Sequence, residues 1–578
     1  MPVFLLYLLS LLLLFPPLLS ALTPSPQPSH LLRSSSHSNS LSSSSPQQYL
    51  DPTFPSLLLP STPPTFSLPL FSYSFAYTYN LPPFTSSYSP PSSPWSRAVL
   101  HLSVSCAGDQ YDRIAAVWLD RVELLRTSTA EPTEAGVFWS VRKEVTRYKS
   151  LLNNPPNGTV SVMLENIVDD TFTGVYHVNV SLDFYLSEED ESLESKKPAD
   201  MIIPIAEEKA DTGFWFRIHN ESHMRFTQFG IPSNTFRAVL EIFVSFHGND
   251  EFWYTNPPDS YIKKNNLTTC RGNAAFREVF VTVDGYYVGS IVPFPVVFTG
   301  GINPLWWAPV VALGAFNLPT YTLELTPFLG ILLDRKSHEI GVGVTDGISF
   351  WLIDANLHIW LDPNSDITSA KVVNQVKETS ISRDYSSQSL NGTFEIKAGR
   401  TSYFSGWVNS SFGNLTTYVS NEIEFNSLVK FTNNGNNKYV LMNTNQNRLV
   451  KISSGEQGDG IISQETYEST YPIQVITKTV PGENDTYTLI TSLSHSLYEK
   501  QHCESGNEVH ASYLIDKQEA DGWMLAQDHS VLSGSASTWQ RYEYGDEDSV
   551  YSRVVQVKDG VILSDNVTEG SALRHFSW

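Results

Sequence analysis

The 578-residue chain carries only three cysteines, Cys106, Cys270 and Cys503. So sparse a set cannot staple a disulfide scaffold, and an odd count leaves at least one thiol free or paired with another chain. No C-x-x-C pair occurs, and cysteine and histidine nowhere form the dense cluster a zinc site needs; neither metal nor organic cofactor is expected. Positive charge is short as well. Lys+Arg 37 against Asp+Glu 60 leaves a net charge of −23, which repels phosphate backbones and argues against a nucleic-acid partner. Beyond the first residues there is no apolar run near the roughly 20 residues that span a bilayer, and the C-terminal SALRHFSW is no lipid-anchor tail.

Hydrophobic residues at 41% and aromatics at 12% suffice for several packed cores. Residues 1–21 read as an export signal: Val3 to Leu14 is apolar, Pro16-Pro17 ends the helix and Leu19-Ser20-Ala21 offers small residues for cleavage. The expected location is the secretory pathway, ending outside the cell or in a vacuolar lumen. Asn157, Asn179, Asn220, Asn266, Asn391, Asn409, Asn414, Asn484 and Asn566 each open an N-x-S/T sequon, and glycan is expected on several of them. Residues 22–66 are Ser, Pro and Leu with scarcely a charge, a composition that buries no core and predicts disorder.

From there the pattern is strands. AVLHLSVSC, AAVWLDRVEL, TVSVMLENIV and YHVNVSLDFY alternate apolar and polar residues, with breaks at GDQ, STAEPTE and NNPPNG and room for one helix near Arg142 to Leu152. This predicts a first antiparallel sandwich over 67–186. The charged SEEDESLESKKPAD at 187–200 reads as a linker. A second sandwich is expected over 201–366, ending in FWLIDANLHIWLD, and a further β-rich region over 367–578. The fold class is all-β: two jelly-roll-like sandwiches side by side and a C-terminal β region.

The richest chemistry lies in GDQYDRIAAVWLDRVELLRTSTAEP, from Gly108 to Pro132. Asp112 beside Arg113, where a strand begins, can be a carboxylate kept ionised by a cation and used to activate water. It can equally be an ion pair bracing a sheet edge, the commoner arrangement. Glu123, Arg126 and Glu131 form a second charged group. In the next domain, DEFWYTNPPD and FTGGINPLWW set aromatic rings beside Asn and Asp on Gly/Pro loops. Trp253, Asn303, Trp306 and Trp307 there offer flat faces and polar forks to a sugar, or they simply fill the ends of a sandwich.

The stretches YDRIAAVWLDRVELLRTSTAEPT, VTRYKSLL, EFWYTNPPDSYI, NAAFREVFVTVDGYYVG, PFPVVFTGGINPLWW, NLPTYTLELTPFLGILLD and WLIDANLHIWLD resemble, in one order, the plant and fungal peptide-N4-(N-acetyl-β-glucosaminyl)asparagine amidase A family. That resemblance implies a glycoamidase that hydrolyses the amide between Asn and the first GlcNAc of N-glycopeptides or denatured glycoproteins, leaving Asp. A more distant likeness to the bacterial peptide-N-glycosidase F type implies two jelly rolls with the site at their interface. On that likeness Asp112 is the principal catalytic residue with Arg113 beside it, and Glu165 is a supporting acid. Arg126 would steady the oxyanion, while Trp253, Asn303, Trp306 and Trp307 would meet the sugar. The bacterial type's remaining acid falls near Asn273, so that it is absent here or replaced by a neighbour such as Glu278. The chain departs from its closer family too: Ala308 stands for an Arg, Asp120-Arg121 for Gly-Gly, and Asn317 for an Asp. These departures keep open a catalytically inactive, glycan-binding relative, and, less in keeping with the motif order, a glycoside hydrolase.

Overall fold

The computed structural model describes residues 33–34, 45–53, 63–186, 197–454, 460–527 and 530–571. The expected signal of residues 1–21 and most of the expected linker at 187–200 lie outside the described residues. The first sandwich begins with strand Phe66–Phe75 and closes with Tyr176–Tyr185. Its five-stranded sheet runs Gln47–Gln48, Val137–Glu144, Arg97–Cys106, Tyr176–Tyr185, Phe66–Phe75; its four-stranded sheet runs Phe84–Ser87, Thr159–Leu164, Ile114–Leu119, Val122–Ser128. Alternation decides which face is which. In Val137–Glu144, Val137, Trp139 and Val141 go inward while Phe138 and Ser140 face water. Val117, Val162 and Val180 meet Leu100 and Trp139 in one core. Between them, the short helix Lys149–Asn153 occupies the place the sequence left for it.

Part of the segment expected to be disordered is packed. Gln47 and Gln48 pair in parallel with Val137 and Phe138, Tyr49 is buried, and Leu50 bridges to Val310. Backbone pairing and two apolar side chains suffice to order a stretch whose composition alone predicts none.

The second sandwich sets Met201–Ile205, Trp351–Leu361, Thr235–Phe246 and Thr320–Glu324, with Phe216–Ile218 alongside, against Arg225–Phe229, His338–Thr345, Glu278–Val283 and Tyr286–Ile291. Strand Trp351–Leu361 is buried along nearly its whole length because both of its faces are covered. Trp351, Ile353, Ala355, Leu357 and Ile359 enter their own core. On the alternate face, Asp354 takes a hydrogen bond from Trp118 Nε1 at 3.0 Å, and the Asn356 amide exchanges bonds with the backbone of Glu123. The two sandwiches are therefore joined by a buried polar seam.

C-terminal to Asp366 the weakly patterned strands are long, up to 20 residues, and lie in one twelve-stranded sheet. Phe394, Phe404, Phe425 and Val440 share a continuous core with the second sandwich. Arg400 is paired with the buried Glu278 across that junction. The all-β expectation holds throughout.

Candidate active site

The site is assembled where the two sandwiches meet. Tyr111 is buried in the core of the second sandwich together with Phe252, and that insertion carries Asp112, the next residue, to the joint. From the other side comes Glu251. Its neighbour Asp250 is fully buried, accepting from Arg277 Nη2 at 2.6 Å, Trp351 Nε1 at 2.6 Å and Ile348 N at 2.7 Å. This bidentate, charge-assisted anchor fixes the one-turn helix Gly248–Asp250 and delivers Glu251 into the joint.

Burial pushes the Asp112 carboxyl up to about 7, against the opposing pull of Arg113. Burial and the Asp112 charge together push Glu251 up to about 8, against Arg271. With Glu251 buried and Asp112 half-buried in one joint, the two carboxyls cannot both ionise cheaply, so the pair favours holding a proton near neutral pH. The expectation that Arg113 keeps Asp112 ionised is thereby corrected: desolvation outweighs the cation, and Arg113 Nη2 is directed at Gln110 Oε1, 2.5 Å away.

Glu165 follows strand Thr159–Leu164 and lies 3.6 Å from Arg217 of the second sandwich. Burial raises its carboxyl, while Arg217, the Asn80 backbone N–H and Arg113 pull it down. Arg217 also lies over the Phe350 ring at 4.7 Å, and Arg271 over Phe252 at 5.4 Å. Acids and guanidinium groups thus alternate around the joint. The GGINP loop closes one side: a Cβ on Gly300 would stand 2.3 Å from Glu131 Oε1, and its φ of +95° is open to glycine.

The sugar-facing residues inferred from the sequence lie elsewhere. Arg126 is 0% exposed and spends its guanidinium on Glu123 at 2.7 and 2.8 Å, on Asp354 at 3.2 Å and on Leu352 O at 2.6 Å, so it is a structural charge of the seam rather than an oxyanion donor. Trp253 and Trp306 are 0% exposed and Trp307 is buried, so none of the three offers a face to a sugar. Asn303, also buried, caps the turn Pro304–Trp307 and donates to Thr491 Oγ1 at 3.0 Å. These loops are rich in aromatics because they fill the junction with the C-terminal sheet. Glu278 is paired with Arg400 and does not supply the third acid.

Glu251, Arg217 and Arg271 were not singled out from the sequence. The usable signal was in DEFWYTNPP: an acid followed at once by Phe-Trp is drawn inward with them and desolvated. The departures from the family pattern have local structural surroundings of their own. Ala308 is half-buried against the first core, Asn317 is exposed, and Asn273 donates to Asp346 O. Asp120 and Arg121 adopt φ of +49° and +72°, the left-handed turn that favours the glycines they replace. His219 and His223 stand four residues apart and stack at 5.6 Å, but no group of three or more metal-ligating side chains occurs among the described residues. Of the sequon residues, Asn157, Asn179, Asn220, Asn266, Asn391, Asn409, Asn484 and Asn566 are exposed, and Asn414 is half-buried.

Two β-sandwiches with two carboxyls raised by burial at their joint present a site that general acid–base hydrolysis could use. The profile of the peptide N-acetyl-β-D-glucosaminyl asparaginase amidase A family matches residues 59–378. Over 516 residues the chain is 40% identical to peptide-N4-(N-acetyl-β-glucosaminyl)asparagine amidase A of Prunus dulcis, covering 86% of this chain and 89% of that one. Among solved structures it is similar to recombinant peptide:N-glycanase F, at 15% identity and TM-score 0.34 over 51% of this chain and 95% of the other. It is similar as well to PNGF-II, at 12% identity and TM-score 0.34 over 51% and 66%. The chain belongs to the peptide N-acetyl-β-D-glucosaminyl asparaginase amidase A family.

Proposed function

We propose that this glycoamidase cleaves the Asn–GlcNAc amide of N-glycopeptides or denatured glycoproteins through Asp112 and Glu251, with Glu165 and Arg217 orienting the substrate at the rim. The observation that carries the assignment is the pair itself: two carboxyls raised to about 7 and about 8 in one joint. Asp112, the first of the two to ionise, takes a proton from water as the oxygen adds to the side-chain carbonyl carbon. Glu251, still protonated, hands its proton to the amide nitrogen as the C–N bond breaks. The peptide keeps an Asp and the glycan leaves as a glycosylamine. No charge has to be created in the joint before water enters, because one proton is already shared there.

An N-terminal apolar run and nine sequons, eight of them on exposed asparagines, support passage through the secretory pathway. The test is to incubate the protein with a defined N-glycopeptide at about pH 6 to 7 and weigh the peptide. Conversion of the glycosylated Asn to Asp, lost on Asp112→Asn and on Glu251→Gln, is the expected result. A peptide that keeps one GlcNAc would overturn the amide mechanism, and one that is bound but unchanged would identify a glycan-binding relative.

A further inference from the structure

One imidazole links the buried seam to the carboxyl joint. His247 opens the one-turn helix Gly248–Asp250 and Glu251 closes it, so ring and carboxyl belong to the two ends of a single turn. Strand Thr235–Phe246 ends one residue earlier. Backbone bonds exchanged with Phe350, His247 N to Phe350 O at 2.8 Å and Phe350 N to His247 O at 2.9 Å, fix the entry to that turn. The ring is clamped on its faces. Phe298, two residues ahead of Gly300, stacks on it at 5.6 Å and 18°, and Phe350 at 5.3 Å and 29°. Phe350 also carries Arg217 at 4.7 Å, and Arg217 is the partner of Glu165. The imidazole is therefore bounded by the turn that bears Glu251, the GGINP loop and the Arg217 rim. With its faces covered, it acts through its nitrogens. Nε2 lies 2.9 Å from Ser245 Oγ. Ser245 is 0% exposed and already accepts from Arg126 Nη1 at 3.3 Å. Among the described residues its own proton has no acceptor other than Nε2, so the serine O–H donates to the ring and the imidazole proton is left on Nδ1. Nδ1 makes no bond within the described residues and is not enclosed, in a residue that is half-buried. Burial, reinforced by Arg126 and Arg217, pushes the imidazole down to about 3, so the ring carries no charge while the carboxyl pair titrates.

We propose that His247 Nδ1–H is the donor that steadies the carbonyl oxygen of the substrate amide while water adds to its carbon. The inference rests on the glycoamidase reading of the joint and supplies a part that reading lacks. As the water oxygen bonds to carbon, the C=O π pair moves onto the carbonyl oxygen. The Nδ1–H meets that charge in a hydrogen bond and keeps its proton, and the pair returns to carbon as the C–N bond breaks. Arg126, too deep to touch substrate, then acts at second hand: its guanidinium donates to Ser245, Ser245 donates to Nε2, and each bond polarises the next. An uncharged donor also leaves the carboxyls alone, whereas an imidazolium at this end of the turn would favour ionising both. The stack on Phe298 and Phe350 holds the donor in place before substrate arrives, so little reorganisation accompanies the reaction.

The test compares three variants of the full chain on a defined N-glycopeptide, with thermal unfolding alongside. His247→Phe keeps a ring in the stack and removes both nitrogens. It should lower kcat by about 10² to 10³, the usual worth of one such donor, with KM within about twofold of wild type. His247→Asn breaks the stack but returns an N–H near the place of Nδ1, and should recover roughly tenfold of the lost kcat. A ring that served packing alone would give the opposite order, with Phe the better replacement. Ser245→Ala retains the whole imidazole and decides the matter should the ring variants fail to fold. Nε2 then competes for the proton, and kcat should fall with KM unmoved. Wild-type kcat in His247→Phe, a loss confined to KM, an Asn variant no better than Phe, or unchanged kcat in Ser245→Ala overturns the proposal. A wild type that leaves GlcNAc on the peptide overturns the glycoamidase reading instead, so the two failures are distinct.

Discussion

Replacing Asp112 by Asn tests the carboxyl pair through stability as well as activity. In the folded chain this carboxyl is raised from about 3.8 to about 7, chiefly by burial. A value raised above the unfolded one means that the folded chain binds the extra proton. The contribution to stability is then complete below about pH 4 and is lost as pH climbs to about 7. Between pH 5 and pH 7 the span is about two units at about 1.36 kcal/mol each, or about 3 kcal/mol. Water reaching the half-buried side chain reduces that to about 2 kcal/mol. Asn carries no such proton, so wild type should lose about 2 kcal/mol over this interval relative to Asp112→Asn, a gap that belongs to the pair because the Asp112 charge also raises Glu251. Urea unfolding of both proteins at the two pH values, followed by tryptophan fluorescence, measures the gap. Release of glycan from a glycopeptide should meanwhile fall by a factor of about 10² to 10⁴, the usual worth of a general base. A variant that gains stability relative to wild type as pH rises and loses turnover has given up a carboxylate held at a cost to the fold. A gap independent of pH, or one of opposite sign, would refute the burial argument, whatever happened to activity.

In Glu251→Gln the proton donor is lost, so kcat should drop by about 10² or more. Wild-type kcat/KM should fall above about pH 8 with an apparent value belonging to the pair, and the variant should lack that limb. Arg126→Ala leaves Glu123 and Asp354 without their buried cation and should cost about 3–5 kcal/mol in unfolding, with KM unchanged in whatever protein folds. Trp306→Phe should lower Tm and leave glycopeptide KM where it was, since the ring is packed at the C-terminal junction; a raised KM would return Trp306 to the sugar site. Arg400→Met strands Glu278 and should speed proteolysis between the second sandwich and the C-terminal sheet, read by timed digestion.

Much was legible along the chain because it depends on neighbours in sequence. Period-two alternation in Val137–Glu144 and Tyr176–Tyr185 marks strands and their inner faces. The order of the long motifs carried the family. What misled was chemistry judged by residue type alone. Trp306 and Asn303 look like a sugar platform until a twelve-stranded sheet is laid over them. Arg126 looks like a free cation until Asp354, 228 positions away, closes on it. Glu251 looked like one acid among sixty. Strand period and turn chemistry are set by local sterics, and so the sequence by itself determined the elements, their faces and the class of fold. Whether a polar side chain meets solvent, a partner or another carboxyl depends on long-range packing, because desolvation and charge act through space. Only tertiary structure brings Asp112 and Glu251, 139 residues apart, into one joint where desolvation raises both carboxyls.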